Sequence, residues 1–224
     1  MKHILDNPIY NSLATAHHKF AKSFGQTNHY LEDIASFAGL KNNSAEDLNE
    51  LYKNSVDGNL FIVFSIEQLQ IPEKWKLITH IDMHQMVYDS VKFPEESSDY
   101  FDLNENHVQE MIALVDLTKP GPFKSRTIDL GNYTGIFDGE KLISMAGNRF
   151  NPAPYMEISA VCTHPDYLGK GYSKSIMNEQ VKRIILNNQI PFLHVKSDNL
   201  AAIKLYEKVG FKFRTEMTAY VISR

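Results

Sequence analysis

The residues whose types and spacing point most directly to chemistry are Gly169 and Gly171, in a loop between a strand-like run and a long amphipathic helix. Because glycine has no side chain, the backbone of this loop can approach a ligand closely. The first turn of the helix offers free N–H groups and the positive end of the helix dipole, which favour an anion. The pattern predicts a phosphate site, and the alternative is a tight turn without a ligand.

A second pattern lies further along the chain. Residues 198–211 predict a helix that ends at a glycine cap and leads into a strand. Along this helix, Asn199, Ala202 and Leu205 follow one another at a spacing of about one turn, and Tyr206 comes directly after Leu205.

Together the two patterns resemble the GNAT superfamily of acyl-CoA-dependent N-acyltransferases, whose second element reads N-x-x-A-x-x-L-Y-x-x-x-G-F. The matching residues are Asn199, Ala202, Leu205, Tyr206, Gly210 and Phe211. The first loop departs from the family pattern Q/R-x-x-G-x-G/A at Asp166, and it has Leu168 where a basic residue is common. The resemblance covers residues of about 100 to 224 and extends to the glycine N-acyltransferase-like branch. It implies an α/β (α+β) fold with a mixed, mostly antiparallel central sheet flanked by helices.

The resemblance implies two catalytic residues. Tyr206 occupies the position of a tyrosine that protonates the departing thiolate, and the alternative is a tyrosine that only packs before the Gly-Phe corner. Glu157 resembles a strand glutamate that serves as general base through water, and the alternative is a solvated or ion-paired carboxylate.

The resemblance also implies acetyl-CoA as cosubstrate. Val161 and Thr163 are expected to bind the pantetheine arm through their main chain, and Asn199 to orient it or to cap the following helix. The expected pyrophosphate-binding residues are Leu168, Gly169, Lys170, Gly171, Tyr172 and Ser173.

Several elements must position these residues. Strands are predicted over residues 133–137 and 141–147, joined by the hairpin signal Asp138-Gly139, and over residues 156–163. Strict alternation in the last run would place Glu157, Ser159, Val161 and Thr163 on the face of the cleft. A helix from about residue 172, a buried strand over 190–195 and a closing pair over 211–214 and 217–222 complete the module.

The chain divides, on this interpretation, into an N-terminal α/β lobe over residues 1–98 and an N-acetyltransferase domain over residues 99–224. The boundary is the polar stretch Pro94–Asp99. Helices are predicted around residues 12–24 and 45–54, and strands over 59–65 and 76–80.

Composition narrows the class of partner. A net charge of -4 and a pI near 6.1 give no pull toward nucleic acid. An apolar run long enough to span a membrane and a secretory leader are both missing from the pattern, and the single cysteine fits a reducing compartment. A cytoplasmic location follows, without a membrane or nucleic-acid partner, and a homodimer is a candidate assembly.

Other suggestive residues are assigned no function. His80 and His84 lack an acidic or thiolate partner nearby, so no metal site is predicted. Cys162 is interpreted as a buried core residue, and His194 and Asp198 as residues that satisfy local hydrogen bonds.

The sequence therefore favours transfer of an acetyl group from acetyl-CoA to a small-molecule amine or amino acid, by direct attack in a ternary complex. One alternative is acetylation of a protein or peptide, and another is a non-catalytic CoA-binding sensor.

Overall fold

The fold is described by a computed structural model for residues 3–90 and 100–224. Five α-helices lie in this part of the chain: α1 (Pro8–Leu13), α2 (Ala45–Lys53), α3 (Val108–Thr118), α4 (Tyr172–Leu186) and α5 (Leu200–Val209). The strands are β1 (Ala21–Phe24), β2 (Thr27–Tyr30), β3 (Ala38–Leu40), β4 (Leu60–Ser65), β5 (Lys76–Tyr88), β6 (Phe101–Asp102), β7 (Thr134–Asp138), β8 (Lys141–Asn148), β9 (Tyr155–Thr163), β10 (Ile190–Lys196) and β11 (Phe211–Ser223).

Eight strands form one sheet in the order β4-β11-β5-β10-β9-β8-β7-β6. All neighbours are antiparallel except β9 and β10, which are joined through α4 and run parallel. A parallel pair needs such a crossover, because a tight hairpin can only reverse the chain. The predicted α/β fold with a mixed, mostly antiparallel sheet flanked by helices is confirmed.

Helices α3 and α4 cover opposite faces of this sheet. Leu142 of β8 packs with α3, whereas its neighbour Ile143 packs with α4. Adjacent residues of a strand point to opposite faces, so each helix buries one set of alternating side chains. The two helices thereby hold β8 and β9 firmly from both sides.

Local signals place several elements where the sequence predicts them. The β7–β8 hairpin turns at Gly139, which has a φ of +60°. Helix α2 begins after Ser44, whose hydroxyl accepts a hydrogen bond from the Asp47 N–H at 3.2 Å. Strand β10 and helices α4 and α5 also lie where predicted.

The N-terminal region differs from its prediction. The helix expected around residues 12–24 is wrong: α1 ends at Leu13, and β1 (Ala21–Phe24) occupies the end of that range. Strands β1, β2 and β3 form a separate antiparallel sheet that the sequence pattern does not show. A short apolar pattern fits either state, and here pairing with β2 decides in favour of a strand.

The two predicted closing strands are one strand, β11. Phe213 pairs with Met86 and Thr215 with Gln85, so Arg214 is an extra residue that forms a bulge. The polar residues at this point therefore bend a continuous strand instead of forming a turn.

The predicted domain boundary at Pro94–Asp99 lies outside the described residues, and the division into 1–98 and 99–224 stays a prediction. Strands β4 and β5, from the N-terminal side of that boundary, pair with β11 in the same sheet as β6–β10. Of the helices in the described ranges, none combines the length and apolar character needed to cross a bilayer.

Candidate active site

Strands β9 and β10 open a cleft at the centre of the sheet. They pair at Ile190–Tyr155, Pro191–Met156 and Phe192–Glu157, and the pairing ends there. Beyond this point, residues of both strands line a cavity of about 660 Å³, which we call the larger cavity. Its lining includes Val161, Cys162, Thr163, Leu168, Ser173, His194, Val195, Lys196, Asn199 and Tyr206.

A bulge in β9 shapes this opening. Two residues of β9, Ala160 and Val161, lie opposite the single residue Ala146 of β8, and Ala160 has a φ of +53°. The strict alternation predicted for β9 is therefore wrong, because the extra residue breaks the period of two. Four consecutive residues, 158–161, line a second cavity of about 290 Å³, which we call the smaller cavity.

Tyr206 lies where the two cavities meet. It lines both of them, although the residue is only 9% exposed. Burial raises the pKa of Tyr206 to about 12, so its hydroxyl keeps its proton at neutral pH. Helix α5 positions this side chain, and Asn199 caps the helix by accepting a hydrogen bond from the Ala202 N–H at 3.1 Å.

The glycine loop leads into α4 at one end of the larger cavity. Gly169 and Gly171 have φ of +77° and +87°, and a Cβ built at either would meet no atom within 4 Å. Gly171 is the N-cap of α4 and no side chain caps this helix. Its first-turn N–H groups therefore keep their hydrogen-bonding capacity for an anion.

Hydroxyl groups connect this helix start to the cleft strand. Ser173 Oγ lies 2.9 Å from Thr163 Oγ1, which lies 2.8 Å from Ser144 Oγ. Lys170 is directed elsewhere, because its Nζ lies 4.7 Å from the centre of the Tyr167 ring. Asp166 faces solvent, with a side chain that is 76% exposed.

The predicted cofactor residues therefore fall into two groups. Val161, Thr163, Leu168, Ser173 and Asn199 are brought together in the lining of the larger cavity. Gly169, Lys170, Gly171 and Tyr172 adjoin it in the chain but do not contribute to its lining.

Glu157 does not face the cleft as predicted. It has no exposed surface and lines neither cavity. Arg149 donates to both of its oxygens, each at 2.7 Å, and His194 Nδ1 lies 2.6 Å from Oε1. Burial alone would raise the pKa of Glu157, but the charges and hydrogen bonds of Arg149 and His194 prevail and lower it to about 2. Such a carboxylate is a poor proton acceptor at neutral pH.

Arg149 is the site residue that sequence reasoning missed. It follows β8 and lines the smaller cavity together with aromatic and aliphatic residues. Its position directly after β8 could have identified it. When Asn148 of β8 pairs with Ile158 of β9, the next residue, Arg149, lies beside Glu157.

Comparison with known proteins agrees with this architecture. The family model "FR47-like protein" matches residues 133–221. A solved GNAT-family structure from Novosphingobium aromaticivorans is 29% identical, with a TM-score of 0.93, and the match covers 100% of this chain and 99% of that one. The chain is thus similar over its full length to a structure of the GNAT family and shares its fold.

More distant solved structures share the GNAT fold. A GCN5-related N-acetyltransferase from Kribbella flavida has a TM-score of 0.61 at 10% identity, over 96% of this chain and 95% of its own. Among curated proteins, the N-alpha-acetyltransferase RimI from Mycobacterium tuberculosis is 31% identical over 85 residues, which are 36% of this chain. The match spans 52% of RimI, about half of its length.

Proposed function

We propose that this protein is an acetyl-CoA-dependent N-acetyltransferase of the GNAT superfamily, and that it acetylates a small amine or amino acid by direct attack in a ternary complex. One observation carries the proposal: Tyr206, a buried acid, lies at the junction of the larger and smaller cavities. Two substrates that react with each other must meet at such a junction, with a proton donor beside the bond that breaks.

The larger cavity suits acetyl-CoA. The separation of β9 from β10 leaves main-chain groups near Val161 and Thr163 for a pantetheine arm. At its end, the first turn of α4 and the Ser173 hydroxyl suit a pyrophosphate. Bound there, acetyl-CoA supplies a thioester whose carbonyl carbon forms a C–N bond with an amine as its C–S bond breaks.

Two protons move in this reaction, one from Tyr206 and one from the amine. Tyr206 holds a proton that it can give to a departing thiolate, and water can return one to its hydroxyl. The amine must lose its proton to solvent, since Glu157 is buried and already paired.

Direct attack is favoured over an acyl-enzyme. Cys162 is the single cysteine and lines the larger cavity, but burial raises its pKa to about 11. A thiol that stays protonated is a poor nucleophile.

A second candidate function is acetylation of a protein N-terminus, which the similarity to RimI favours. The smaller cavity favours a small acceptor instead, because β4, β5 and β11 wall it opposite the cleft.

A cytoplasmic location, a homodimer and membership of the glycine N-acyltransferase-like branch stay predictions. Among the described residues, no group of His, Cys, Asp and Glu is placed to hold a metal ion.

Calorimetry with acetyl-CoA tests the proposal. We expect micromolar binding by wild type and at least a tenfold (about 1.4 kcal/mol) loss in Gly171→Glu, which adds bulk and negative charge at the helix start. Gly139→Glu is the matched control, because this glycine also has a positive φ and open space but lies in the β7–β8 turn.

Thiol release with a panel of amines and an N-terminal peptide then separates the functions. Turnover of amines supports the main proposal, and turnover of the peptide alone supports the second. Binding without any turnover would support the CoA sensor, and absence of binding by wild type would overturn all three.

A further inference from the structure

We propose that the acceptor is an amino acid with an apolar side chain, that Arg149 binds its carboxylate in the smaller cavity, and that Glu157 is a positioning residue for Arg149. This inference rests on the proposed function and adds the chemistry of the acceptor.

Arg149 has one free edge. Its Nε and Nη2 donate to Glu157, and Nη1 has no hydrogen-bond partner among residues 3–90 and 100–224. The side chain is 14% exposed and lines the smaller cavity but not the larger one. The unused donors of Nη1 are therefore available to a molecule in the smaller cavity.

Three aromatic rings fix the guanidinium. Its carbon lies 4.6 Å from the ring centre of Phe150, 4.9 Å from that of Phe37 and 5.7 Å from that of Phe64. With the Glu157 pair, these contacts hold the plane in one orientation before a ligand arrives. A preorganised guanidinium suits a carboxylate, whose oxygens accept from its fixed donors.

The charges of the smaller cavity also favour an anionic group. Its lining residues, all in the described part of the chain, include Arg149, Lys119 and Lys196 and no Asp or Glu. Both lysines line the larger cavity as well. Of these three cationic residues, Arg149 alone lines the smaller cavity without lining the larger one. Such surroundings oppose a purely cationic acceptor, and they lower the pKa of an amine that binds through another, anionic group. A lower amine pKa supplies the neutral nucleophile without a strong general base.

The remaining walls specify an apolar body. Side chains from β4, β5 and β11 face the cavity, namely Ile62, Phe64, Ile81, Met83, Ala219 and Val221. A volume of about 290 Å³ is small for a ligand site and fits an amino acid better than a long chain.

The first test compares free acids with their amides on the wild-type protein. L-leucine and L-leucinamide, and L-phenylalanine and L-phenylalaninamide, are supplied with saturating acetyl-CoA, and kcat/KM is measured by thiol release per neutral amine. We expect the free acids to exceed the amides at least tenfold, equivalent to about 1.4 kcal/mol. Equal values, or no turnover of either free acid, would overturn the inference.

The second test uses variants. Arg149→Lys keeps the charge but loses the planar fork, so the advantage of the free acids should shrink mainly through a higher KM. Arg183→Lys is the matched control, since Arg183 is also ion-paired but lies outside both cavities. An unchanged preference in Arg149→Lys would contradict the proposal.

Glu157→Asp separates positioning from base catalysis. A shorter carboxylate shifts Arg149, so KM should rise more for the free acids than for the amides, and the main effect on the free acids should be on KM and not on kcat. A general base would instead lower kcat for acids and amides alike, and that result would overturn the positioning role.

If wild type does not bind acetyl-CoA in calorimetry, the proposed function fails and this inference with it. If it binds acetyl-CoA and acetylates amides as well as acids, only the inference fails.

Discussion

His194 donates its Nδ1–H to Glu157 Oε1 across 2.6 Å, with both side chains buried. The ionised carboxylate can only accept, which assigns the proton to Nδ1. Nε2 then accepts from the Gln85 amide, whose nitrogen lies 3.0 Å away. Burial lowers the pKa of His194, although Glu157 opposes this shift, so the imidazole is neutral with both nitrogens engaged. The hydrogen bonds of this pair thus support the position of Arg149.

Glu157→Gln should destabilise the fold. The change leaves the Arg149 guanidinium buried without its counter-charge, and removing one partner of a buried ion pair costs about 3 kcal/mol. Urea unfolding at pH 7.5 measures the loss. Glu207→Gln, on the exposed face of α5, should stay within about 0.5 kcal/mol of wild type. Equal unfolding midpoints for the two variants would contradict a stabilising ion pair.

Local patterns predicted the elements around the cleft because each has its own signal. Gly139 marks the β7–β8 turn, and the Gly169-Lys170-Gly171 loop marks the start of α4. The long strands β5 and β11 were predicted short or split, since their length depends on pairing with each other over most of their residues. A single sequence shows the run of apolar residues but not the partner that extends it.

The sequence predicts a site residue where one helix positions it, but not where its position depends on how two strands pair. The position of Tyr206 follows from a single helix. Ala160 has the positive φ that a glycine would have indicated in the sequence, so the bulge was not predicted. The bulge changes which residues of β9 face the cavities. The link between Arg149 and Glu157 exists only when β8 and β9 pair in one register.

Stability should fall in mild acid because of His17. This side chain is buried with its Nδ1 2.8 Å from the Tyr30 hydroxyl, and burial, with a lesser effect of Lys19, lowers its pKa to about 4 from 6.5. The unfolded chain therefore binds a proton that the folded protein refuses. Stability from this group is complete above pH 6.5 and is lost as pH falls toward 4, by up to about 3 kcal/mol.

Urea unfolding between pH 7.5 and 5 checks this. Glu157 does not titrate in that interval, since its pKa is about 2 when folded. His17→Gln, which can still hydrogen-bond Tyr30, should make the dependence on pH shallower, whereas His18→Gln, at an exposed neighbour, should not. The remaining slope belongs to other buried histidines such as His194, whose pKa is also lowered by burial. A slope in His17→Gln equal to that of wild type would contradict the role of His17.

Gly210→Ala should destabilise the end of α5 more than an ordinary glycine substitution. Gly210 has a φ of +121°, and an added Cβ would lie 2.8 Å from Ser90 Cβ and 2.9 Å from Tyr88 Cε2. Gly58 also has a positive φ, +86°, but has open space around it. We expect Gly58→Ala to cost about 1 kcal/mol of backbone strain, and Gly210→Ala at least about 1 kcal/mol more. Equal thermal midpoints would show that Ser90 and Tyr88 move aside.

Tyr206→Phe should separate catalysis from cofactor binding. The substitution removes one oxygen from a buried ring that also packs against Phe211, with ring centres 6.3 Å apart. The shape of both cavities is thereby kept, and the proton donor is lost. Because general acid catalysis contributes a hundredfold or more, kcat should fall by about 100-fold, with the affinity for acetyl-CoA within about threefold of wild type.

Thiol release and calorimetry on the same preparation measure both quantities. Tyr220→Phe is the control: it removes the hydroxyl of another buried tyrosine, which accepts a 3.3 Å hydrogen bond from Leu69 N and lines neither cavity. If Tyr206→Phe lowers affinity and kcat in parallel, the hydroxyl binds the cosubstrate instead of protonating the leaving group. Unchanged turnover would remove Tyr206 from the mechanism, and the proton would then have to come from water in the larger cavity.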